Sequence, residues 1–481
     1  MGKHNGKHHD DKHHEDEKHT KKAGTSAAER SDGVRAVSAT QRLGGPLAII
    51  GARLIDGTGR DPIDDGAVVI EGERITALGR RGDVQVPRGA VVIEADGATM
   101  LPGLIDCHVH LAHEWGAYMH LSRRVMTPPS LSMFYSVPNC RATLEGGITT
   151  VRDAGGAPAA LKTAVERGLF PGPRMQMAVT FLSQTGGHSD GMMPCCVDIG
   201  RPLAPDIPAG VVDGVDQMRK VSREILRAGA DWLKLCTSGG VLSPGDSPHS
   251  PQFTVEEIGV AVYEAGAQGK RCMAHAQSTE GIKNALRAGI ASIEHGIWLD
   301  DEAIQMMVDG GVYLVPTLVA PEDVIRFAEA NPTLVPSYAI EKSLLVMEDH
   351  HASFRRAVEA GVKVAMGTDS GVGPHGENAR ELVLMVRHGM TPMQSIIAST
   401  LSAARLLHLD HDLGTLEQGK LADLLIVDGD PLADITVVAD PARRALVVKG
   451  GVPVVGRLAQ TPGVAAQREP APEAAEVPAS V

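Results

Sequence analysis

The sequence predicts an α/β protein: a (β/α)8, TIM-like barrel joined to a small β-sandwich domain built from both chain ends. Three observations lead there. Between residues 101 and 411, eight apolar runs of strand length alternate with helical stretches, ending near His110, Asp153, Ser183, Cys236, His275, His295, Thr317 and Asp369. Short β-like runs flank this region at 46–100 and 412–458, many closed by a turn signal such as Asp56-Gly57, Glu71-Gly72 or Asp96-Gly97. Aromatic residues make up only 3% of the chain, so the core must be Val, Leu, Ile, Ala and Met, which suits a layered barrel interior.

Residues 1–45 are a polar His/Lys-rich tail, with six of the chain's twenty histidines in the first twenty positions. Such a composition buries too little apolar surface to offset the entropy of ordering, so disorder is expected. Metal storage by its histidines is a second reading of the tail. The β-like runs at 47–50, 67–70 and 90–93 answer those at 422–427 and 445–448, and the two sets are expected to pair. Inside the barrel region, 215–228 sets Met218, Val221, Ile225 and Leu226 on one helical face and stops at Gly229. The stretches 254–266 and 278–289 repeat that plan. Residues 459–481, rich in Pro, Ala and Glu, form a second disordered tail.

The length of 481 residues would allow about three domains, but a barrel absorbs some 250 of them as one. A formal charge of −13 argues against a nucleic-acid groove or an anionic membrane surface as the main partner. No apolar run reaches the ~18 residues of a membrane span, and the N-terminus has no apolar leader segment. Of six cysteines, Cys107, Cys236 and Cys272 fall in strand-like runs, and Cys195-Cys196 fall in a loop. All read as reduced thiols, and a cytoplasmic location is expected.

The chemistry gathers at strand ends. In Cys107-His108-Val109-His110 the alternation of a strand points both imidazoles to one face, which makes half of a metal site. His275, His295 and Asp369 close three later apolar runs, and in a barrel those ends form the mouth. Lys234, in Asp231-Trp-Leu-Lys-Leu-Cys236, lies on a strand buried on both faces, where an ammonium is costly and the neutral amine is favoured. A neutral amine can add carbon dioxide to give a carbamate able to bridge two cations; the other readings are a lysine reaching the barrel rim or paired with Asp369. His188, after two glycines, is placed to steady an oxyanion or a substrate carboxylate, or simply to brace its loop. Arg152 and Asp153 are expected to pair with each other, and His113 and Glu114 are weaker site candidates.

Several motifs carry a family resemblance: PGLIDCHVHL, the strand-four Lys234, AHAQS with His275, IEHG with His295, GTDSG with Asp369, and LGTLEQGKLADLLIVDGDPL at 413–432. Over residues 46–458 the chain resembles the amidohydrolase superfamily. TTVRDAGG, TGGH and KLCTSGGVLSP are similar to metal-dependent Xaa-Pro dipeptidases and to hydrolases of ochratoxin-like amides, although Ser189 stands where that group usually has Gly. The resemblance implies a binuclear amide hydrolase. His108, His110 and Asp369 would hold one divalent metal, His275 and His295 the other, with carboxylated Lys234 between them. Zinc is the default ion for these ligands. Asp369 would act as base and then acid on a metal-activated hydroxide mechanism, with His188 assisting. The expected substrate is a small-molecule amide, a dipeptide or N-acyl amino acid, and the expected assembly a homo-oligomer. The rival readings are a mononuclear cyclic-amide hydrolase or deaminase resembling imidazolonepropionase, and a non-catalytic scaffold resembling the dihydropyrimidinase-like proteins.

Overall fold

The structure is a computed structural model that describes residues 45–116, 125–128, 130–193, 195–200 and 204–456. The tails expected at 1–45 and 459–481 lie outside the described residues, Gly45 apart. Strands β1 (Leu47–Leu54), β2 (Ile63–Glu71), β3 (Arg74–Arg80), β4 (Val91–Glu94) and β5 (Ala98–Pro102) precede the middle region. That region supplies β6 (Leu104–Val109), β7 (Ile148–Asp153), β8 (Arg174–Met177), β9 (Phe181–Leu182), β10 (Trp232–Cys236), β11 (Arg271–Ala276), β12 (Ser292–His295), β13 (Tyr313–Val315) and β14 (Lys363–Val364). Strands β15 (Leu424–Asp428), β16 (Arg444–Lys449) and β17 (Val452–Gly456) follow it.

The middle strands are all parallel, in the order β9 to β14 in one sheet and β6-β7-β8 in another. Helices lie between most of them, as parallel neighbours require a crossover. Helix Gly214–Arg227 buries Met218, Ile225 and Leu226 as its periodicity predicts, with Ser222 on the same side and Val221 at its margin. Gly229 ends that turn at φ +95°, a conformation that favours glycine. Thr254 caps helix Val255–Gly266 with a reciprocal capping box through Glu257, and Ser278 caps helix Thr279–Arg287. The predicted strand ends match the observed ones with one exception. Strand β14 stops at Val364, so Asp369 lies in the segment beyond it, held to β6 by Asp369 N→His108 O (2.7 Å).

The chain ends meet in one mixed sheet, ordered β17-β16-β15-β5-β1-β2-β3, with β4 also on β1. Its link is the antiparallel pair β15–β5, from Leu424↔Pro102 to Asp428↔Ala98. Alternation along β15 serves two cores at once. Leu424 and Ile426 belong to the same buried cluster as Ile49, Val68 and Met100, while Leu425 and Val427 belong to the larger cluster that holds Leu104, Ile148 and Ile293. The sheet from the ends thus forms one wall of the larger core. No helix among the described residues is long and apolar enough to cross a membrane.

Leu425 is fully buried in that larger core. Leu425→Ala is expected to cost about 2–5 kcal/mol, read by denaturant unfolding; a cost below ~1 kcal/mol would show that the two cores are not coupled through β15.

Candidate metal centre

Strand β6 ends in His108-Val109-His110, with Val109 turned into the apolar core and the two imidazoles 5.4 Å apart on the other face. Strands β11 and β12 bring His275 and His295 alongside, with ring centroids 4.7 Å apart, and His295 lies 5.2 Å from His108. Lys234, on β10, places Nζ 3.3 Å from His108 Nε2. Asp369 Oδ1 sits 3.0 Å from His110 Nε2 and 3.5 Å from His108 Nε2. His188 stacks on His275 at 4.1 Å, with the two planes 11° apart. All seven candidate side chains therefore line one cavity, together with apolar residues that include Leu242, Ile297, Pro321, Val324 and Val346.

Each central imidazole is held through one ring nitrogen. His108 Nδ1–H donates to Glu294 Oε2 (2.8 Å), and His110 Nδ1–H donates to Gly155 O (2.8 Å). His275 Nε2–H donates to Gly239 O (3.1 Å), and His295 Nδ1 bonds Thr317 Oγ1 (2.7 Å). The nitrogens outside those four bonds are Nε2 on His108, His110 and His295, and Nδ1 on His275; of these, His110 Nε2 meets Asp369 Oδ1 and His108 Nε2 meets Lys234 Nζ. Partners of this kind fix tautomer and ring orientation, as they do around metal-ligating histidines. Among the described residues, ligand atoms of His108, His295 and Asp369 all lie within 4.8 Å of one another. That tightest triple crosses the division expected from the sequence, which put His295 with His275.

Burial pushes His108, His275 and His295 well below the usual imidazole range, and the charge of Lys234 lowers all three further. Burial likewise holds the Lys234 amine below the usual lysine range, against the opposing charges of Glu294 and Asp369. Lys234 does not reach the rim: it is 2% exposed, and its closest polar neighbour is a histidine rather than Asp369. For Asp369 burial alone would act upward, but the His110 hydrogen bond and the charges of His108, His110 and Lys234 hold it at about 2. An ionised carboxylate, neutral imidazoles and a deprotonation-prone amine form a donor set that fits divalent cations. His110 is the exception: burial lowers it, Asp369 more than compensates, and the net direction is up.

Backbone strain collects here too. His295 (φ 73°) at the end of β12, Thr317 (φ 54°) two residues past β13 and Asp369 (φ 60°) five past β14 all adopt left-handed conformations. Such conformations cost on the order of 1 kcal/mol each and persist where the surroundings impose them.

The expected Arg152–Asp153 pair does not form, because successive residues of β7 point to opposite faces. Arg152 instead donates to Glu294 Oε1 (2.8 Å) and to Cys107 O (2.6 Å), with both side chains fully buried. Asp153 accepts from Leu111 N and Gly155 N. His113 stacks on His110 at 4.9 Å and lines the cavity, whereas Glu114 does not line it. Sequence reasoning missed Glu294, Thr317 and Asp106. Asp106 accepts from His108 N, Thr368 Oγ1 and Asn378 Nδ2, and burial still pushes its carboxyl up to about 6. The available signal was an acid inside an apolar strand, in Leu-Ile-Asp106 and Ser-Ile-Glu294.

Residues 99–454 match the amidohydrolase family, to which the chain belongs, and this family together with the relatives below makes the chain a hydrolytic enzyme acting on amides. Ochratoxinase of Aspergillus niger is 31% identical over 427 residues, covering 85% of this chain and 86% of its own. A crystal structure of a Xaa-Pro dipeptidase with bound methionine in the active site superposes with a TM-score of 0.77 at 34% identity, covering 85% of this chain and 100% of that one. Imidazolonepropionase of Geobacillus kaustophilus is 28% identical, covering 82% of this chain and 91% of its own.

Replacing Arg152 by Met leaves the Glu294 charge buried beside His108 without its partner. The expected loss is about 3–5 kcal/mol of unfolding free energy, partly recovered when Glu294→Gln is added. Additive losses in chemical denaturation would contradict the pairing.

Proposed function

We propose that the chain is a binuclear, divalent-metal-dependent amide hydrolase whose substrates are dipeptides or N-acyl amino acids. The observation that carries this reading is the set of four buried imidazoles, each pinned through one nitrogen, around a buried lysine and an ionised aspartate. His108, His110 and Asp369 would hold one ion and His275 and His295 the other, with zinc as the default choice. Lys234 would bridge them as its carbamate: the amine lone pair bonds the carbon of carbon dioxide, and one N–H proton is released. Bound divalent ions lower the pKa of water and polarise a carbonyl. The chain's own groups then move the protons. Asp369 accepts a proton as the water oxygen adds to the amide carbon, and returns it to the leaving nitrogen as the C–N bond breaks. His188 donates through Nδ1 to Ser243 Oγ (2.8 Å), which leaves Nε2 to meet the carbonyl oxygen or a substrate carboxylate.

The same reading extends to the architecture. We take the parallel strands as one closed eight-stranded barrel in which β8 and β9 form a single interrupted strand. Cys107 N→Met366 O (2.8 Å), His110 N→Ser370 O (2.7 Å), Ala178 N→Asp153 O (2.9 Å) and Gly156 N→Val179 O (3.0 Å) support this. The sheet from both ends we take as curved into a sandwich, since distant strands β2 and β16 contribute Val68 and Val448 to one cluster. Six free cysteines, four of them buried, support a reducing, cytoplasmic setting.

The likeness to imidazolonepropionase favours a mononuclear cyclic-amide hydrolase as the second reading; a buried amine next to His108 argues against it. The test is a hydrolysis screen of zinc-loaded protein over dipeptides and N-acyl amino acids with Pro, Arg, Lys and Phe leaving groups. We expect turnover that chelation abolishes and zinc restores, with close to two ions per chain. Lys234→Ala should lower kcat/KM at least about 100-fold and cut the metal count. One ion per chain, unchanged by that substitution, would establish the mononuclear reading. A fully loaded protein inert on the whole panel would establish a scaffold.

A further inference from the structure

Far from the imidazoles in sequence, one lysine has more partners than a surface side chain needs. Lys342 lies on helix Ser337–Glu359, and its side chain is 16% exposed. Its Nζ donates to three backbone carbonyls, Ser243 O (2.7 Å), Asp246 O (2.7 Å) and Gly240 O (3.0 Å), with Asp246 Oδ1 at 3.4 Å. An ammonium has three donors and no acceptor, so three convergent carbonyls saturate it. Those carbonyls belong to one loop, 239–246, after β10.

The loop touches the site at both ends. Gly239 O accepts from His275, and Ser243 Oγ accepts from His188 while donating to buried Asp246. Between them, Val241 and Leu242 line the cavity. The His188 ring packs so closely on Gly240 that a Cβ there would lie 2.2 Å from it, so the loop backbone is itself part of the ring's seat.

We propose that Lys342 is a positioning residue: by gathering the carbonyls of loop 239–246 it sets the Val241–Leu242 wall against the substrate and seats His188 over His275. Resting on the amide-hydrolase reading, the proposal assigns that loop, rather than the barrel strands, to substrate fit. Loss of the ammonium leaves three buried or half-buried carbonyls to find water, and the loop opens without any change in the donor atoms at the centre.

The test compares full-length Lys342→Met and Lys342→Arg with the parent chain in two assays. In hydrogen exchange, amides of 239–246 should exchange at least about tenfold faster in the Met variant, with the barrel strands unchanged. In kinetics on the best substrate of the hydrolysis panel, KM should rise about tenfold while kcat changes less than about threefold, and Arg should recover part of the loss. The proposal is overturned if the loop exchanges at the parent rate, or if it exchanges faster while kcat and KM stay within about twofold. Should Met prevent folding, Lys342→Gln, which also lacks the ammonium, decides by the same criteria. A parent chain that hydrolyses nothing would defeat the functional reading alone, and the exchange experiment would still judge the tether.

Discussion

An imidazole has two nitrogens, and each of the four at the heart of this cavity gives one of them to the protein. A carboxylate, two backbone carbonyls and a threonine hydroxyl take those bonds. Each bond fixes its ring's orientation, and Nε2 of His108 and His110 lie beside Lys234 Nζ and Asp369 Oδ1. A ring free to rotate would lose orientation entropy on meeting a ligand; these rings have lost it already during folding. The cost is met in the core, where Arg152 and Glu294 are removed from water together and Glu294 accepts from both Arg152 and His108.

The parallel strands bring this chemistry together: His108, Lys234, His275 and His295 come from four of them, β6, β10, β11 and β12. His295, Thr317 and Asp369 each take a left-handed backbone at or beyond a strand end, which turns the chain abruptly away from the strand direction. Apolar residues, among them Leu242, Pro321 and Val346, complete the cavity lining. A few fixed polar groups set in an otherwise apolar lining suit the orientation of a small substrate.

Much of this was legible from residue order. Alternation alone put His108 and His110 on one face with Val109 in the core, and periodicity with glycine stops placed the stretches 215–228, 254–266 and 278–289 on helices Gly214–Arg227, Val255–Gly266 and Thr279–Arg287. Periodicity tells which face a residue takes but not which distant residue it meets. Arg152 finds Glu294 across 142 positions, and Lys342 finds loop 239–246 across about a hundred, so neither pair could be read in advance. The adjacent acid Asp153 looked like the natural partner for Arg152 only while the pleat of β7 was ignored. Asp369 was placed on the last strand because the apolar run before it is long; the strand itself ends five residues earlier.

The most direct measurement is anomalous diffraction at the zinc edge from crystals of the zinc-loaded protein. The account predicts two zinc positions, one beside Nε2 of His108 and His110, the other beside Nδ1 of His275 and Nε2 of His295, with density continuing from Lys234 Nζ to both. A single zinc position, a bare Lys234 amine, or His275 binding through Nε2 would contradict it.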